Sequence, residues 1–313
     1  MIHYNILRRA LEPYLMYKRL HLLLAFGFML MTPVVAATVG DLSKNPVVVV
    51  TIKPLALMVK GLAGDDFTVR TLGSGLADPH AQAMTIADRA ILEQADLVVW
   101  LGPRFERFLA KPMRRSRQAQ LQLGLEPLMQ WPGAEGIDLH LWLSPHNAAV
   151  TYRALARQLA QLKPGLAEVI NVRLAERLIE LVRVENEITA LLAPYKQIPF
   201  AASHDGFGHF VQAFGLNQRA AATQLPEEQL SVRRMAELNR VLVDARCLLV
   251  EPNDHHGHKL AHSVNLPEVS VDVLGYNETI LTLPMLLQSV SASFMECFGS
   301  HSERHEKADH HTH

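Results

Sequence analysis

The chain lacks the features that mark several large classes of protein. Its 30 lysines and arginines nearly balance its 31 aspartates and glutamates, so the formal net charge of −1 gives no indication of a nucleic-acid partner. Two cysteines are too few for a small scaffold built on disulfides. The H-E-x-x-H and G-x-S-x-G signatures of many zinc proteases and serine hydrolases are absent. A length of 313 residues predicts two domains.

A continuous apolar run near the N-terminus is too short to favour a stable membrane span. It extends from about residue 21 to 31, behind the basic Lys18 and ahead of the small residue Ala37. A basic region, an apolar segment and a small-residue cleavage site are typical of a secretory signal peptide. We therefore predict a cleavable signal peptide at 1–37 and export to the periplasm, with retention as an uncleaved anchor as the alternative.

Export makes the two cysteines informative. An oxidising compartment favours a disulfide between Cys247 and Cys297, with two separate buried thiols as the alternative. The bond would close a loop of about fifty residues and contribute roughly 3–4 kcal/mol to stability if it is unstrained.

Short apolar runs alternate with stretches of helical periodicity along the mature chain. The apolar runs predict strands at residues 47–52, 67–73, 96–102, 139–144, 199–203, 246–251 and 268–275. From about Pro164 to Leu192, apolar residues recur at helical spacing, which predicts one helix of nearly thirty residues. The pattern indicates an α/β fold: two lobes with mostly parallel sheets, joined by one long rigid α-helix.

These patterns divide the chain into five predicted segments. The tail is polar and charged without apolar periodicity, so we expect it to be disordered. The segments are a signal peptide (1–37), an N-terminal α/β lobe (38–163), a linking helix (164–195), a C-terminal α/β lobe (196–299) and a disordered histidine-rich tail (300–313).

Sixteen histidines are present, and several of them fall at the ends of predicted strands. His80, His140 and His204 are placed in this way, and the carboxylates of Glu251 and Asp272 follow later strands. Ligands of open α/β sheets bind outside the carboxyl ends of the strands. Three neutral imidazoles with an oxygen ligand suit tetrahedral Zn²⁺, although imidazoles also suit Cu²⁺. Any one of these histidines could instead be structural, and their shared placement is what favours a metal site.

Four blocks of the sequence resemble a known family. They are "ADPHAQAMTIADRAILEQADLVVWLGPRFERFL", "DLHLWLSPHNA", "SHDGFGHF" and "LLVEPN…VDVLG". In this order, with a long helix between the second and third blocks, they are similar to periplasmic zinc-binding proteins. These are the solute-binding components of zinc ABC importers, in the metal-specific class with a rigid linking helix known as cluster A-I or cluster 9.

The resemblance implies a set of metal ligands. The three histidine blocks of that family supply ligands, which here are His80, His140 and His204. Relatives that carry manganese have glutamate at the third position, so His204 points to Zn²⁺. Asp272 matches a family position that supplies a fourth ligand in some members. The late cysteine pair matches the disulfide of the zinc branch.

The resemblance also implies a role in transport. A soluble, monomeric periplasmic protein would capture Zn²⁺ in the cleft between its lobes and deliver it to an inner-membrane ABC permease and its ATPase. We expect it to catalyse no reaction and to bind no nucleic acid. A long rigid helix favours small tilts on release over wide hinge closure. Because neutral imidazoles bind metal, affinity should fall as the pH drops through about 6.5.

The chain departs from that family in two ways. Gln82 stands two positions after the first ligand, where a tyrosine is usual, and the segment 111–137 lacks the histidine-rich loop often found in the zinc branch. Other histidines gather further along the chain. They are His255, His256, His258 and His262, followed in the tail by His301, His305, His310, His311 and His313. They could form a weak auxiliary zinc site, with a solvated loop and a disordered end as the alternative.

Other functions remain open at this stage. A secreted zinc hydrolase could use the same three histidines, with Glu251 or Asp205 as base. The protein could also be a manganese-binding or other divalent-metal relative, or a surface adhesin. The missing hydrolase motifs, and the missing lipobox cysteine in the signal region, favour the periplasmic binding protein.

Overall fold

A computed structural model describes residues 44–73, 83–132, 138–224, 228 and 230–299. The predicted signal peptide, the segment that carries His80 and the histidine-rich tail lie outside these residues. The described residues from Asn45 onward belong to one compact unit.

The first half of this unit is built on a parallel four-stranded sheet in the order β2-β1-β3-β4. Its strands are β1 (Val47–Val50), β2 (Thr68–Thr71), β3 (Leu97–Trp100) and β4 (Ala119–Gln122). The helices of this half are α1 (Lys53–Ala63), α2 (Ile86–Glu93), α3 (Ala110–Arg115) and α4 (Pro145–Leu162). Every residue of β1 and β3 is buried, as expected for central strands that are covered on both faces.

The second half repeats this design with a sheet in the order β6-β5-β7-β8, again entirely parallel. Its strands are β5 (Pro199–His204), β6 (Asn217–Thr223), β7 (Leu248–Val250) and β8 (Glu268–Ser270). Helix α5 (Ala167–Leu192) comes before this sheet, and α6 (Gly208–Phe214), α7 (Val232–Val241), α8 (His255–Val264) and α9 (Leu283–Gly299) belong to this half. The predicted α/β class with two parallel sheets is confirmed.

The predicted long helix is also present. A short 3-10 turn at Pro164–Leu166 leads into the 26 residues of α5, which span about 39 Å at 1.5 Å per residue. Its buried residues belong to one core that also includes side chains from both sheets. Packing therefore holds the two halves to a common helix. The predicted lobe boundaries at 163 and 196 stay predictions. In the described part of the chain, no helix combines the length and apolarity needed to cross a membrane.

The strand predicted at 139–144 is wrong. Leu141–Leu143 form a single 3-10 turn, and His140 stands immediately before it. The apolar alternation misled because the whole stretch is buried, so its residues do not sort into an inner and an outer face. Asp138 accepts a hydrogen bond from the backbone N–H of His140, and this local bond competes with strand pairing. Ser144 then caps α4, whose first residue is a proline.

Two strands escaped the sequence-based prediction. β4 is mostly exposed or half-buried, and β6 is mostly half-buried. Both lie at the edges of their sheets, so neither carries the continuous apolar run that identifies a central strand.

The disulfide between Cys247 and Cys297 is present, as predicted. It joins the residue before β7 to helix α9, and both cysteines are fully buried. The bond closes a sequence separation of 50 residues within the second half of the chain.

Replacing both cysteines by alanine should lower the free energy of unfolding by about 2–4 kcal/mol, because the unfolded chain loses its cross-link. Urea unfolding of the parent and of the Cys247→Ala/Cys297→Ala variant would measure this difference. A reducing agent should destabilise the parent and leave the double variant unchanged. Equal stability of the oxidised parent and the variant would contradict the prediction.

Candidate metal centre

Two buried histidines face one another between the two sheets. His204 is the last residue of β5, and His140 precedes the 3-10 turn that leads into α4. They are 1% and 4% exposed, and their ring centroids lie 5.9 Å apart. Glu251 follows β7, the neighbour of β5, so its carboxylate reaches the same edge of the sheet. One nitrogen from each histidine and one oxygen of Glu251 lie within 4.8 Å of one another, close enough to hold a single ion.

Asp138 orients the first of these rings. Its Oδ1 accepts hydrogen bonds from the backbone N of His140 at 2.9 Å and from the ring Nδ1 at 2.7 Å. Nε2 is therefore the nitrogen of His140 that can bind a metal, in the carboxylate–histidine–metal arrangement common to such sites. Burial alone would raise the pKa of Asp138, but the charge and hydrogen bonds of His140 lower it to about 2.

Aromatic side chains support the His140 ring. Phe105 meets it edge-on with the centroids 5.6 Å apart, and Trp142 lies at 5.2 Å. Trp142 is fixed in turn, because its Nε1 donates a hydrogen bond to the carbonyl of Val273 at 2.8 Å. The His140 ring therefore lacks the rotational freedom of an exposed histidine, because packing holds it on its sides.

A buried glutamate holds the turn that presents Phe105. Glu106 accepts hydrogen bonds from the Thr51 hydroxyl at 2.6 Å and from the backbone N–H groups of Leu101 and Gly102 at 3.0 and 2.8 Å. Burial raises the pKa of Glu106 to about 7, although all three donors favour the carboxylate. The side chain thereby joins the carboxyl ends of β1 and β3 next to the site.

His204 lies among carboxylates. Its Nε2 is 3.2 Å from Oε1 of Glu251, and its Nδ1 is 4.0 Å from Oδ2 of Asp254. Burial by itself lowers the pKa of His204, but the charge and hydrogen bond of Glu251, with the charges of Asp254 and Asp138, outweigh it and raise the pKa above the ordinary 6.5. The ring of His204 therefore holds a proton more strongly than an ordinary histidine does.

A glycine keeps the space in front of both rings open. A Cβ on Gly206 would lie 2.5 Å from Nε2 of His204 and 3.1 Å from Cε1 of His140. Any larger residue at this position would occupy the space between the two candidate ligand atoms. The block "SHDGFGH" thus contributes both a candidate ligand and the room for an ion.

The other predicted ligands have different outcomes. His80 lies outside the described residues. Asp272 follows β8 and accepts a hydrogen bond from the backbone N of Asn277 at 3.1 Å, while its Oδ1 is buried. It is not a member of the group formed by the two histidines and Glu251. The sequence places Glu251 with Asp272 at the ends of strands, but Asp272 rather than Glu251 is the predicted fourth ligand. The position of Glu251 directly after a central strand is the signal that could identify it as a candidate ligand.

The predicted auxiliary histidines His255, His256, His258 and His262 all lie on α8. His258 is engaged within the fold, since its Nδ1 is 2.6 Å from Oε1 of Glu268 and its Nε2 is 3.3 Å from the carbonyl of Pro252. Within the described ranges, the group with metal-binding spacing includes none of these four. An auxiliary site on α8 stays a prediction, and the tail histidines lie outside the described residues.

The fold consists of two parallel sheets that share a core with one long helix, and buried histidines from both halves meet at one point. These features are typical of a two-lobed metal-binding protein. A family model described as "ZnuA: Zinc-uptake complex component A periplasmic" matches residues 48–279. The chain belongs to this family of periplasmic solute-binding components.

Two sequence relatives support membership of this family. The high-affinity zinc uptake system protein ZnuA of Yersinia pestis is 26% identical over 263 residues, which cover 73% of this chain and 83% of that protein. The ZnuA protein of Haemophilus ducreyi is 25% identical over 293 residues, covering 81% of this chain and 93% of the relative.

Solved structures show the same fold. The periplasmic zinc binding protein TroA from Treponema pallidum has a TM-score of 0.73 at 19% identity, covering 82% of this chain and 99% of its own. A zinc-bound deletion mutant of ZnuA has a TM-score of 0.70 at 21% identity, covering 81% of this chain and 98% of its own.

We expect the affinity for Zn²⁺ to fall as the pH decreases, beginning above the ordinary histidine pKa of 6.5. A proton and the metal compete for the His204 ring, and a raised pKa lets the proton compete at higher pH. Chelator competition between about pH 5.5 and 8 would measure the apparent dissociation constant across the range of histidine titration.

Glu251→Gln provides the control for this pH profile. It removes the nearest charge that raises the pKa of His204, so the loss of affinity should begin at a lower pH. An onset at the same pH in the parent and in this variant would contradict the assignment of the raised pKa to Glu251.

Proposed function

We propose that the protein captures Zn²⁺ in the cleft between its two halves and hands it to an inner-membrane ABC permease driven by its ATPase. The observation that carries the proposal is the meeting of His140 and His204, from different halves of the chain, with an oxygen of Glu251 inside 4.8 Å. Burial of both rings excludes bulk water from the metal and favours tight binding. Membership of the periplasmic zinc-uptake family supports zinc as the cargo.

The ligand set follows from the chemistry of the donors. Imidazole nitrogens suit Zn²⁺, and Mn²⁺ or Mg²⁺ would require more oxygen ligands. We propose His80 as the third imidazole. The fourth position would be filled by Glu251, by Asp272 or by water, and Glu251 is favoured because it already lies beside His204.

Binding without catalysis is the second part of the proposal. A zinc hydrolase would need a base that stands over an open coordination position. Glu251 instead lies at the level of the ligand atoms, 3.2 Å from the His204 ring. A carboxylate in this position is better suited to bind the metal than to activate a water on it.

The remaining features of the proposal concern the protein as a whole. We propose that residues 1–37 direct export and are removed, and that the mature protein acts as a monomer without nucleic acid. The rigid α5 and the core that it shares with both sheets support a release mechanism based on small displacements.

Purified mature protein should bind one tight equivalent of Zn²⁺ in a competitive chelator titration. His140→Ala and His204→Ala should each lower the affinity more than about 100-fold. Loss of a group that only supports a ligand costs up to about that much, and loss of the ligand itself should cost more. His146→Ala, which removes an exposed histidine six positions beyond His140, should bind as the parent does. If His140→Ala binds zinc as tightly as the parent, the site is wrong.

The same titration identifies the oxygen ligand. Glu251→Gln and Asp272→Asn change a charge with little change of volume, so the variant with the larger loss of affinity at about pH 8 marks the ligand. Equal and small losses would indicate a water ligand. A tail deletion that removes weak zinc equivalents would give the histidines at 301–313 a role.

A further inference from the structure

A histidine that the zinc site does not use bridges the two halves of the protein. His209 is the second residue of α6, which follows β5 of the second sheet, and it is only 1% exposed. Its backbone N donates to Oδ2 of Asp138 at 3.3 Å, and its ring Nε2 is 2.8 Å from the Asp138 carbonyl. Asp138 belongs to the first half, so these bonds cross from one half to the other at the base of the His140 ring.

The hydrogen-bond network fixes the protonation of this ring. Asn147 accepts from the backbone N of Gln130 and donates to its carbonyl, both at 2.8 Å, which sets the orientation of the amide. The amide Nδ2 then faces Nδ1 of His209 at 3.2 Å, so Nδ1 must be the acceptor. The ring proton is on Nε2, which donates to the Asp138 carbonyl. His209 is therefore held as one neutral tautomer with both nitrogens satisfied.

Asp138 is consequently held from two sides. Oδ1 bonds the backbone and ring of His140, while Oδ2 accepts from the first turn of α6. The approach is close, since a Cβ on Gly208 would lie 3.0 Å from Oδ2 of Asp138 and from Cγ of Pro132. The ring of Trp131 lies 6.0 Å from that of His209 on the same side. A helix of the second half thus positions the carboxylate that orients a ligand of the first.

We infer that His209 is a positioning residue that ties α6 to Asp138 and so couples retention of zinc on His140 to the contact between the two halves. When this contact opens, Asp138 loses the backbone N–H of His209 as a donor to Oδ2, and His140 loses a fixed partner on Nδ1. By reciprocity, zinc on His140 and His204 stabilises the contact. The inference deepens the proposed function and rests on it.

The test is the rate at which zinc leaves the protein when excess chelator is added. His209→Phe keeps a ring of similar size but removes both ring hydrogen bonds, and we expect zinc release about tenfold to a hundredfold faster, as for the loss of other outer-shell partners. His209→Gln retains an amide that can donate to the Asp138 carbonyl, so it should recover part of the slow release. The absorption bands of Co²⁺ bound in place of zinc should shift in His209→Phe and less in His209→Gln.

Phe214→Leu is the matched control for a general loss of stability. Phe214 is buried at the end of the same helix and has no bond to Asp138. It should lower the thermal stability of the apoprotein while zinc release and the Co²⁺ spectrum stay as in the parent.

Two results would overturn the inference. One is parental zinc release from His209→Phe; the other is equal acceleration by His209→Phe and Phe214→Leu at matched stability. Failure of the proposed function is separate, because it would appear as unchanged zinc affinity in His140→Ala. A parent that binds zinc through His140, with no effect of His209→Phe, would remove the positioning role alone.

Discussion

The buried carboxylate of Asp138 is the constraint on which the arrangement of the proposed site depends. A carboxylate removed from water costs much free energy unless donors surround it. Here the donors are the backbone and ring of His140 on one oxygen and the backbone of His209 on the other. They belong to different halves of the chain, so the fold must bring the two halves together accurately to satisfy a single side chain. The same bonds engage Nδ1 of His140, which makes Nε2 its candidate ligand atom.

A second buried acid has a comparable role at the first sheet. Glu106 collects donors from Thr51 and from the turn after β3, and thereby fixes Phe105 against the His140 ring. A hydrogen bond to Asp138 and the packing of Phe105 thus both fix the ring of His140. A ligand held in this way has little conformational entropy left to lose when it binds a metal. The core that α5 shares with both sheets restricts the two halves in a similar way, because it limits how far they can separate.

Much of this organisation could be predicted from the order of apolar runs and from the resemblance of four sequence blocks to a known family. Central strands, the long helix and the cysteine pair all carry local signals that need no knowledge of the third dimension. The errors have physical causes. The stretch 139–144 is buried on all sides, so its alternation of apolar residues did not report a strand. The edge strands β4 and β6 carry too little apolar sequence to stand out.

The sequence by itself determined the fold class, identified His140 and His204 as candidate ligands, and indicated zinc through its resemblance to a known family. Only the tertiary structure decided which groups meet. Glu251 joins the histidines because β7 lies beside β5, a pairing between residues nearly fifty positions apart. Asp138 and His209 come together across the two halves although 71 positions separate them. A local sequence pattern reports how one segment buries its own side chains. Long-range bonds depend instead on how separate segments pack against each other, and a local pattern carries no information about that packing.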